Sequence, residues 1–259
     1  MGKYKFLHGK PAMVIETKED KILVVGDLHL GFEYEIYKSG ISLPSKMKDI
    51  KKQILGLITE TNSDRIILLG DVKHNIPNTS WQERKEIPEL LESLSNRIRV
   101  DVTPGNHDGN LEELAPDNVK IHPRSGFKLE EFYFCHGHAW PKPSLLESKY
   151  LVMSHIHSSV EFRDELGYRS VKRCWVRGNM EKEKMCEKYN KEEAMTKKGI
   201  IVPVFNSLVS GVPVNRNKKE NEEYISPLIR NGMMNFEESE IYMLDGTHLG
   251  KLKNLELER

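Results

Sequence analysis

The chain has no excess charge of either sign: 39 Lys and Arg balance 39 Asp and Glu over 259 residues. The overall basic footprint of a protein that holds nucleic acid tightly and without sequence preference is therefore missing. No apolar run is long enough to span a bilayer. The first ten residues lack the apolar stretch of a signal peptide. The expectation is a cytoplasmic chain with no membrane partner. Cysteine is scarce, and Cys135, Cys174 and Cys186 show neither paired nor metal-type spacing. That argues against a disulfide framework and a thiolate metal site, and for a reducing compartment. No internal repeat is visible. With 38% hydrophobic residues there is enough apolar content for a core, and the length suits one α/β domain covering residues 1–259.

What the sequence does contain is a series of apolar runs that end in the same chemistry. Residues 21–25 form a continuous run of the kind found in strands covered on both faces, and stop at Gly26-Asp27-Leu28-His29. Residues 65–69 stop at Gly70-Asp71-Val72-Lys73-His74, and residues 97–102 lead through Pro104 into Gly105-Asn106-His107-Asp108. Residues 131–135 deliver His136-Gly137-His138, and residues 150–153 deliver His155-Ile156-His157.

Between these runs the elements follow from periodicity. Met47, Ile50, Ile54 and Leu57 recur at helical spacing after Pro44-Ser45. A second helix is expected over 81–95, kinked or restarted at Pro88. Strand, helix and strand with short links make a βαβ unit, so strands 21–25 and 65–69 should be parallel. Residues 10–17 are expected as the first strand, 31–40 as irregular loop, 111–115 as a short helix and 143–149 as a helical turn. Residues 119–122, 127–129 and 131–135 read as short strands of a second, more antiparallel sheet. Residues 178–198, rich in Glu and Lys, are expected as a solvated surface segment. Residues 200–204, 205–209 and 241–244 are late strand candidates, and 215–223 reads as a polar loop. Arg173, Trp175 and Arg177 alternate along a strand and should share one face, expected to be solvated, with a phosphate-binding patch as the alternative.

Asp, His and Asn gathered at five strand ends need partners if they are buried, and a pair of metal ions would satisfy all of them. In an extended segment Asp27 and His29 project to one side, as do His155 and His157. Asp71 has two carboxylate oxygens and can bridge, Asn106 offers an amide oxygen, and His136 completes the second ion. The mixed nitrogen and oxygen set disfavours iron–sulfur centres and structural zinc. Two ions can clamp a phosphoryl group and activate a water. His107 is then left to contact the phosphate or protonate the leaving oxygen.

The ordered series Asp27-X-His29, Gly70-Asp71, Gly105-Asn106-His107-Asp108, His136 and His155-X-His157 resembles the five motifs of the calcineurin-like metallophosphoesterase superfamily, across roughly residues 21–158. His74, three residues after Asp71, resembles the SbcD branch of double-strand-break repair nucleases, in which that His orients the His of the GNH motif. GDLHLG and GDVKH are similar to a small archaeal group of SbcD-related phosphoesterases and to the bacterial DNA-ligase-associated phosphoesterases. The resemblance implies a four-layer α/β/β/α sandwich. It also implies two divalent ions, Mn²⁺ first, with Fe, Co²⁺, Zn²⁺ or Ni²⁺ as alternatives. Metal ligands would be Asp27, His29, Asp71, Asn106, His136, His155 and His157; catalytic residues would be His107 and His74. Ser154 stands where glycine usually precedes the first His of the last motif. The chain is short of the capping domain and tail of full SbcD-type nucleases.

Several residues keep two readings. His136 is preferred to His138 as ligand. Asp108 either orients His107 or caps its turn. Trp140 either walls the pocket or packs in the core, and His8, His122 and His248 read as surface or core histidines. The function expected is a dinuclear metal-dependent phosphoesterase acting on phosphodiesters. The alternatives are an SbcD-like DNA or RNA nuclease and a non-catalytic metal-holding scaffold in a nucleic-acid repair assembly. Zero net charge favours small phosphodiesters over duplex DNA. A basic groove assembled from Arg124, Arg163, Arg173 and Arg177 would reverse that preference. Oligomeric state is left open.

Overall fold

A computed structural model describes residues 3–216 and 226–257. Two β-sheets pack face to face with helices on both outer faces. The first sheet has six strands in chain order: β1 (Lys3–Phe6), β2 (Met13–Glu16), β3 (Lys21–Val25), β4 (Arg65–Leu68), β5 (Arg99–Val102) and β6 (Val119–Ile121). β1, β2 and β3 are antiparallel neighbours, and β3 to β6 are parallel. Helices α2 (Met47–Thr61) and α3 (Trp81–Ser95) make the β3–β4 and β4–β5 crossovers. Their buried stripes, Met47, Ile50, Ile54 and Leu57 on one and Ile87, Leu90, Leu91 and Leu94 on the other, cover the sheet's outer face.

The second sheet contains β7 (Phe127–Leu129), β8 (Phe132–Phe134), β9 (Tyr150–Met153), β10 (Ser158–Arg163), β11 (Arg169–Asn179), β12 (Lys198–Ile201), β13 (Val212–Pro213), β14 (Glu240–Met243) and β15 (His248–Lys251). Most pairs are antiparallel, but β8, β9 and β12 run parallel to one another. Short helices α4 (Lys182–Tyr189) and α5 (Pro227–Arg230) contribute Met185, Leu228 and Ile229 to its outer core. The inner faces meet in a third cluster that includes Ile15, Val24, Ile67, Phe132, Phe134, Val152, Trp175 and Ile200. Phe6 stacks on Trp175 with ring centroids 4.2 Å apart, joining the sheets.

Several expectations are corrected. The first described strand is 3–6, ahead of the strand expected at 10–17. Its alternation of exposed and half-buried residues fits an edge strand. Residues 31–40 hold helix α1 (Phe32–Lys38). Flanking glycines hid it, and it is held tertiarily, through the buried Glu33 carboxylate that accepts the Lys46 backbone N–H. Pro88 does not restart α3, which runs through it as one helix. The bond it forgoes would go to the carbonyl of Arg84, on the exposed side where water can replace it. β6 belongs to the first sheet, parallel to β5. Residues 205–209 are not a strand. Trp175 is wholly buried and Arg173 partly so, hence their face lies between the sheets and is not solvated. The charged 178–198 segment also buries Met180, Met185 and Thr196. Of the polar loop expected at 215–223, Asn215 is buried, where its amide bonds the backbone of Glu161 on both sides, and 217–223 lie outside the described residues.

Candidate metal centre

The loops after β3, β4, β5, β8 and β9 converge at one edge of the sandwich. Parallel neighbours end at the same side, so loops that follow them meet. Three groups of side chains result, each with its ligand atoms within 4.8 Å of one another: Asp27, His29, Asp71 and His157 in the first, Asp71, His136 and His155 in the second, and His29, His74 and His107 in a third that contains no carboxylate. Asp71 belongs to the first two. In the first, His29 Nε2 lies 3.6 Å from Asp71 Oδ2 and 3.1 Å from His157 Nε2, and His157 Nε2 lies 3.8 Å from Asp27 Oδ2. In the second, His136 Nε2 lies 3.3 Å from Asp71 Oδ2, 3.1 Å from His155 Nδ1 and 3.2 Å from Asn106 Oδ1. Ligands about 2.1 Å from a metal stand about 3.0–3.5 Å apart. These acids, amide oxygen and imidazole nitrogens therefore fit divalent ions in both spacing and chemistry.

The backbone achieves this differently from the sequence expectation. Asp27 and His29, and likewise His155 and His157, are not extended. Their φ values are 58°, 43°, 73° and 50°, and Asp71 stands at 47°. These five make up most of the nine non-glycine residues with positive φ among those described. Such conformations cost roughly 1–3 kcal/mol each and persist where surrounding structure over-determines them. Gly105 provides part of that constraint, since a Cβ there would meet Asp71 Oδ1 at 2.0 Å. Gly70, at φ 72°, faces the His136 ring, and a Cβ would meet Nδ1 at 2.5 Å.

Electrostatics follow from burial and from the two acids. Burial works to raise Asp71, but His136 and His29 beside it hold the carboxyl well below its usual range. Burial pushes Asp27 up to about 8, with Asp71 adding to the rise and His136 opposing it. Burial opposes the charge on His136, yet Asp71 and Asp27 push its pKa up to about 9. Burial pulls His155 down to about 3 and His157 down to about 4, in each case with His136 adding to the fall, and also lowers His29. Neutral imidazoles at ordinary pH are the form that binds metal.

Around these groups sits a hydrogen-bonded frame. The Nδ1 of His136 donates to the Leu69 carbonyl at 2.8 Å, which turns Nε2 inward. The His107 backbone N–H donates to Asp71 Oδ1 at 2.9 Å, and the ring donates from Nδ1 to the His74 carbonyl at 2.5 Å. The His74 ring stacks on that of His107, centroids 5.3 Å apart, while its Nδ1 meets His29 Nδ1 at 3.2 Å. His74 thus touches His107 by main chain and ring face, and His29 by its nitrogen. Asp108 caps the turn. It accepts the Gly105 and Lys73 backbone N–H groups at 2.8 and 3.0 Å, tying the loops after β4 and β5 together. Ser154 fits without strain, donating from Oγ to the Leu69 carbonyl at 2.5 Å and lying 3.2 Å from Asp27 Oδ1.

The remaining histidines separate cleanly. His138 is outside all three groups, its ring 5.2 Å from that of His136, and its buried Nδ1 finds no partner among the described residues. His122 is buried and lies 2.5 Å from Asp101. His8 and His248 are exposed. Trp140 packs against the second core under Lys188.

Two residues were missed by sequence reasoning. Glu83 closes a capping box with Ser80 at the start of α3. Its other oxygen accepts the backbone N–H groups of His74 and Asn75 at 2.9 and 2.7 Å, so a helix cap fixes the His74 loop. The S-x-x-E spacing at 80–83 was the available signal. Asn206 follows β12, and its amide donates to the Leu28 carbonyl at 2.9 Å, bracing the Asp27 loop from the second sheet. It too ends an apolar run, 200–205, like the five strand ends.

A family model described as calcineurin-like phosphoesterase matches residues 20–172. No curated protein matches the chain. The structure is similar to the crystal structure of the Pseudomonas putida nuclease MPE, with a TM-score of 0.53 at 16% identity, covering 95% of this chain and 98% of that one. Yfce, a phosphoesterase from E. coli, matches at a TM-score of 0.34 and 18% identity over 55% of this chain and 73% of its own, too low a score to bear on the fold.

Proposed function

The chain belongs to the calcineurin-like phosphoesterase family and is a hydrolase acting on phosphoric esters; from that premise we propose a dinuclear enzyme that cleaves phosphodiester bonds. The observation that carries this reading is the Asp71 carboxylate, common to two clusters of potential ligands. Asp27, His29, Asp71 and His157 would hold one divalent ion, and Asp71, Asn106, His136 and His155 the other. When bound, such ions polarise phosphoryl oxygens and make water a nucleophile at neutral pH. His107 has its Nδ1 proton committed to the His74 carbonyl, so Nε2 is the atom that contacts the phosphate or passes a proton to the leaving oxygen. His74 acts as a positioning residue through His29 and His107. Mn²⁺ is the first choice of metal, the SbcD-related branch the subgroup proposed, and a cytoplasmic, single-domain chain the setting. The inner core common to both sheets supports the last point.

Small phosphodiesters are the preferred substrates. Of the four arginines that would make a basic groove, Arg163 is paired with Glu161 and Arg177 with Glu240. The second reading, a nuclease, draws support from exposed aromatics on elements that flank His74. Tyr37 on α1 and Trp81 at the start of α3 are 62% and 78% exposed, and bases stack on such rings. The test is hydrolysis of a chromogenic diester with each metal, in competition with single-stranded and duplex DNA. Diester turnover unaffected by DNA is the expected result. Tight, salt-sensitive inhibition with concurrent DNA cleavage establishes the nuclease instead.

A further inference from the structure

Beyond the loop that carries Asn206 lies a cavity of about 600 Å³ that none of the potential metal ligands lines. Its wall includes Ser159, Lys172, Arg173, Ser207, Ser210 and Asp245. Two features of this wall lack a partner. Ser159 is completely buried, and its Oγ finds no hydrogen-bond partner among the described residues. A buried hydroxyl without a partner costs free energy that a ligand atom would recover. Arg173 is half-buried, and its Nη1 donates to the carbonyls of Val204 and Phe205, both at 3.0 Å. Those bonds fix the guanidinium but leave its charge uncompensated. Burial lowers its pKa, with no acid beside it to oppose the shift. Asp245 is exposed, and its carboxylate accepts the backbone N–H of Thr247 at 2.9 Å. Lys172, the preceding residue of β11, is exposed, and by strand alternation its side chain stands on the opposite face from Arg173 and Ser159.

We infer that this cavity is an anion subsite that takes a phosphate group, held by Arg173 and the hydroxyls of Ser159, Ser207 and Ser210. A cation is disfavoured by the Arg173 guanidinium. A phosphate supplies the counter-charge the guanidinium lacks and accepts from its planar fork and from several hydroxyls together. The position ties the cavity to the reaction edge. Ser159 is two residues beyond His157, and Ser207 follows Asn206, whose amide holds the Leu28 carbonyl. The Val212 N–H closes the same loop onto the His157 carbonyl at 2.8 Å. The phosphate is either the one next to the scissile group in a longer substrate or a free phosphate ligand. The first source rests on the phosphodiesterase reading; the binding site does not.

The experiment has a binding arm and a kinetic arm on the full chain. Inorganic phosphate is titrated calorimetrically into metal-stripped wild type, Ser159→Ala and Arg173→Lys, with thermal melts confirming that each variant is folded. Arg173→Lys keeps the charge and loses the fork; Ser159→Ala spares the Arg173 carbonyl bonds. Each variant should weaken phosphate by about tenfold, the effect of one charge-assisted hydrogen bond. No phosphate binding by wild type, or equal binding by all folded variants, overturns the subsite. With metal restored, KM is compared between a chromogenic diester with one phosphate and a 5′-phosphorylated dinucleotide with two. A rise in the variants confined to the dinucleotide, at unchanged kcat, assigns the subsite to substrate. Unchanged KM for both, with phosphate binding lost in the variants, assigns it to a free phosphate ligand. If neither substrate is turned over, the phosphodiesterase reading fails while the calorimetry still decides the subsite.

Discussion

The two sheets build opposite sides of one cluster by different routes. In the six-stranded sheet, β3, β4 and β5 lie side by side in parallel, linked by the helical crossovers α2 and α3. Their ends bring Asp27 and His29, Asp71, and Asn106 and His107 to one edge. The nine-stranded sheet is mostly antiparallel, yet β8, β9 and β12 are parallel to each other, and their ends bring His136, His155 with His157, and Asn206. What gathers functional loops is the local parallel pairing, not the sheet type or the helical connection. The first sheet contributes both aspartates, and the second contributes only histidines and an asparagine. Neither side alone completes either cluster, since the first needs His157 from the second sheet and the second needs Asp71 from the first sheet.

The comparison can be broken most directly at Asp71, which belongs to both clusters. Asp71→Ala should lose both ions and reduce hydrolysis by on the order of 10³-fold or more. Elemental analysis that finds one ion retained would separate the two sides. His107→Ala should cut turnover by about 10²–10⁴-fold with metal content intact. Loss of metal in that variant would move His107 into the ligand set. His74→Ala should cost less, about tenfold, because the carbonyl that orients His107 remains.

The dependence of the sheets on one another is tested at Trp175. Trp175→Ala should lower stability by about 3–5 kcal/mol, read as a shift of a single urea transition. Two resolved transitions would show that the sheets unfold separately. The smallest effect is expected at Asn206. Asn206→Ala removes the brace across the sheets and should weaken metal binding by a few fold, in line with about 1 kcal/mol for one hydrogen bond. If metal affinity and hydrolysis stay at the wild-type level, the Asp27 loop holds its shape from the first sheet alone.

How much was legible depended on how local the cause was. Apolar runs such as 21–25 and 65–69, and the helical spacing of Met47, Ile50 and Ile54, were legible because burial on one or both faces leaves a pattern within a few residues. The acidic and imidazole residues at the strand ends were legible for the same reason, each directly after its run. α1 was not: its seven residues lie between glycines and depend on Glu33 reaching Lys46. Nor was the placement of β6 beside β5, because 119–121 is too short to declare its sheet. Trp175 and its neighbouring arginines alternate as a half-solvated strand would, and only the stacking on Phe6 reveals a face enclosed by a second sheet.

The sequence by itself determined which groups reach the reacting edge, since a motif adjoining a buried strand has nowhere else to emerge. It also carried the family pattern, because spacing and order are linear properties. Only the tertiary structure decided how those groups meet. The left-handed backbone at Asp27, His29, Asp71, His155 and His157, the cap by which Glu83 holds the His74 loop, and the convergence of Asn206 on Leu28 depend on contacts between segments far apart in the chain. Each is worth a few kcal/mol at most and leaves no periodic trace, so nothing in a local stretch of residues records it.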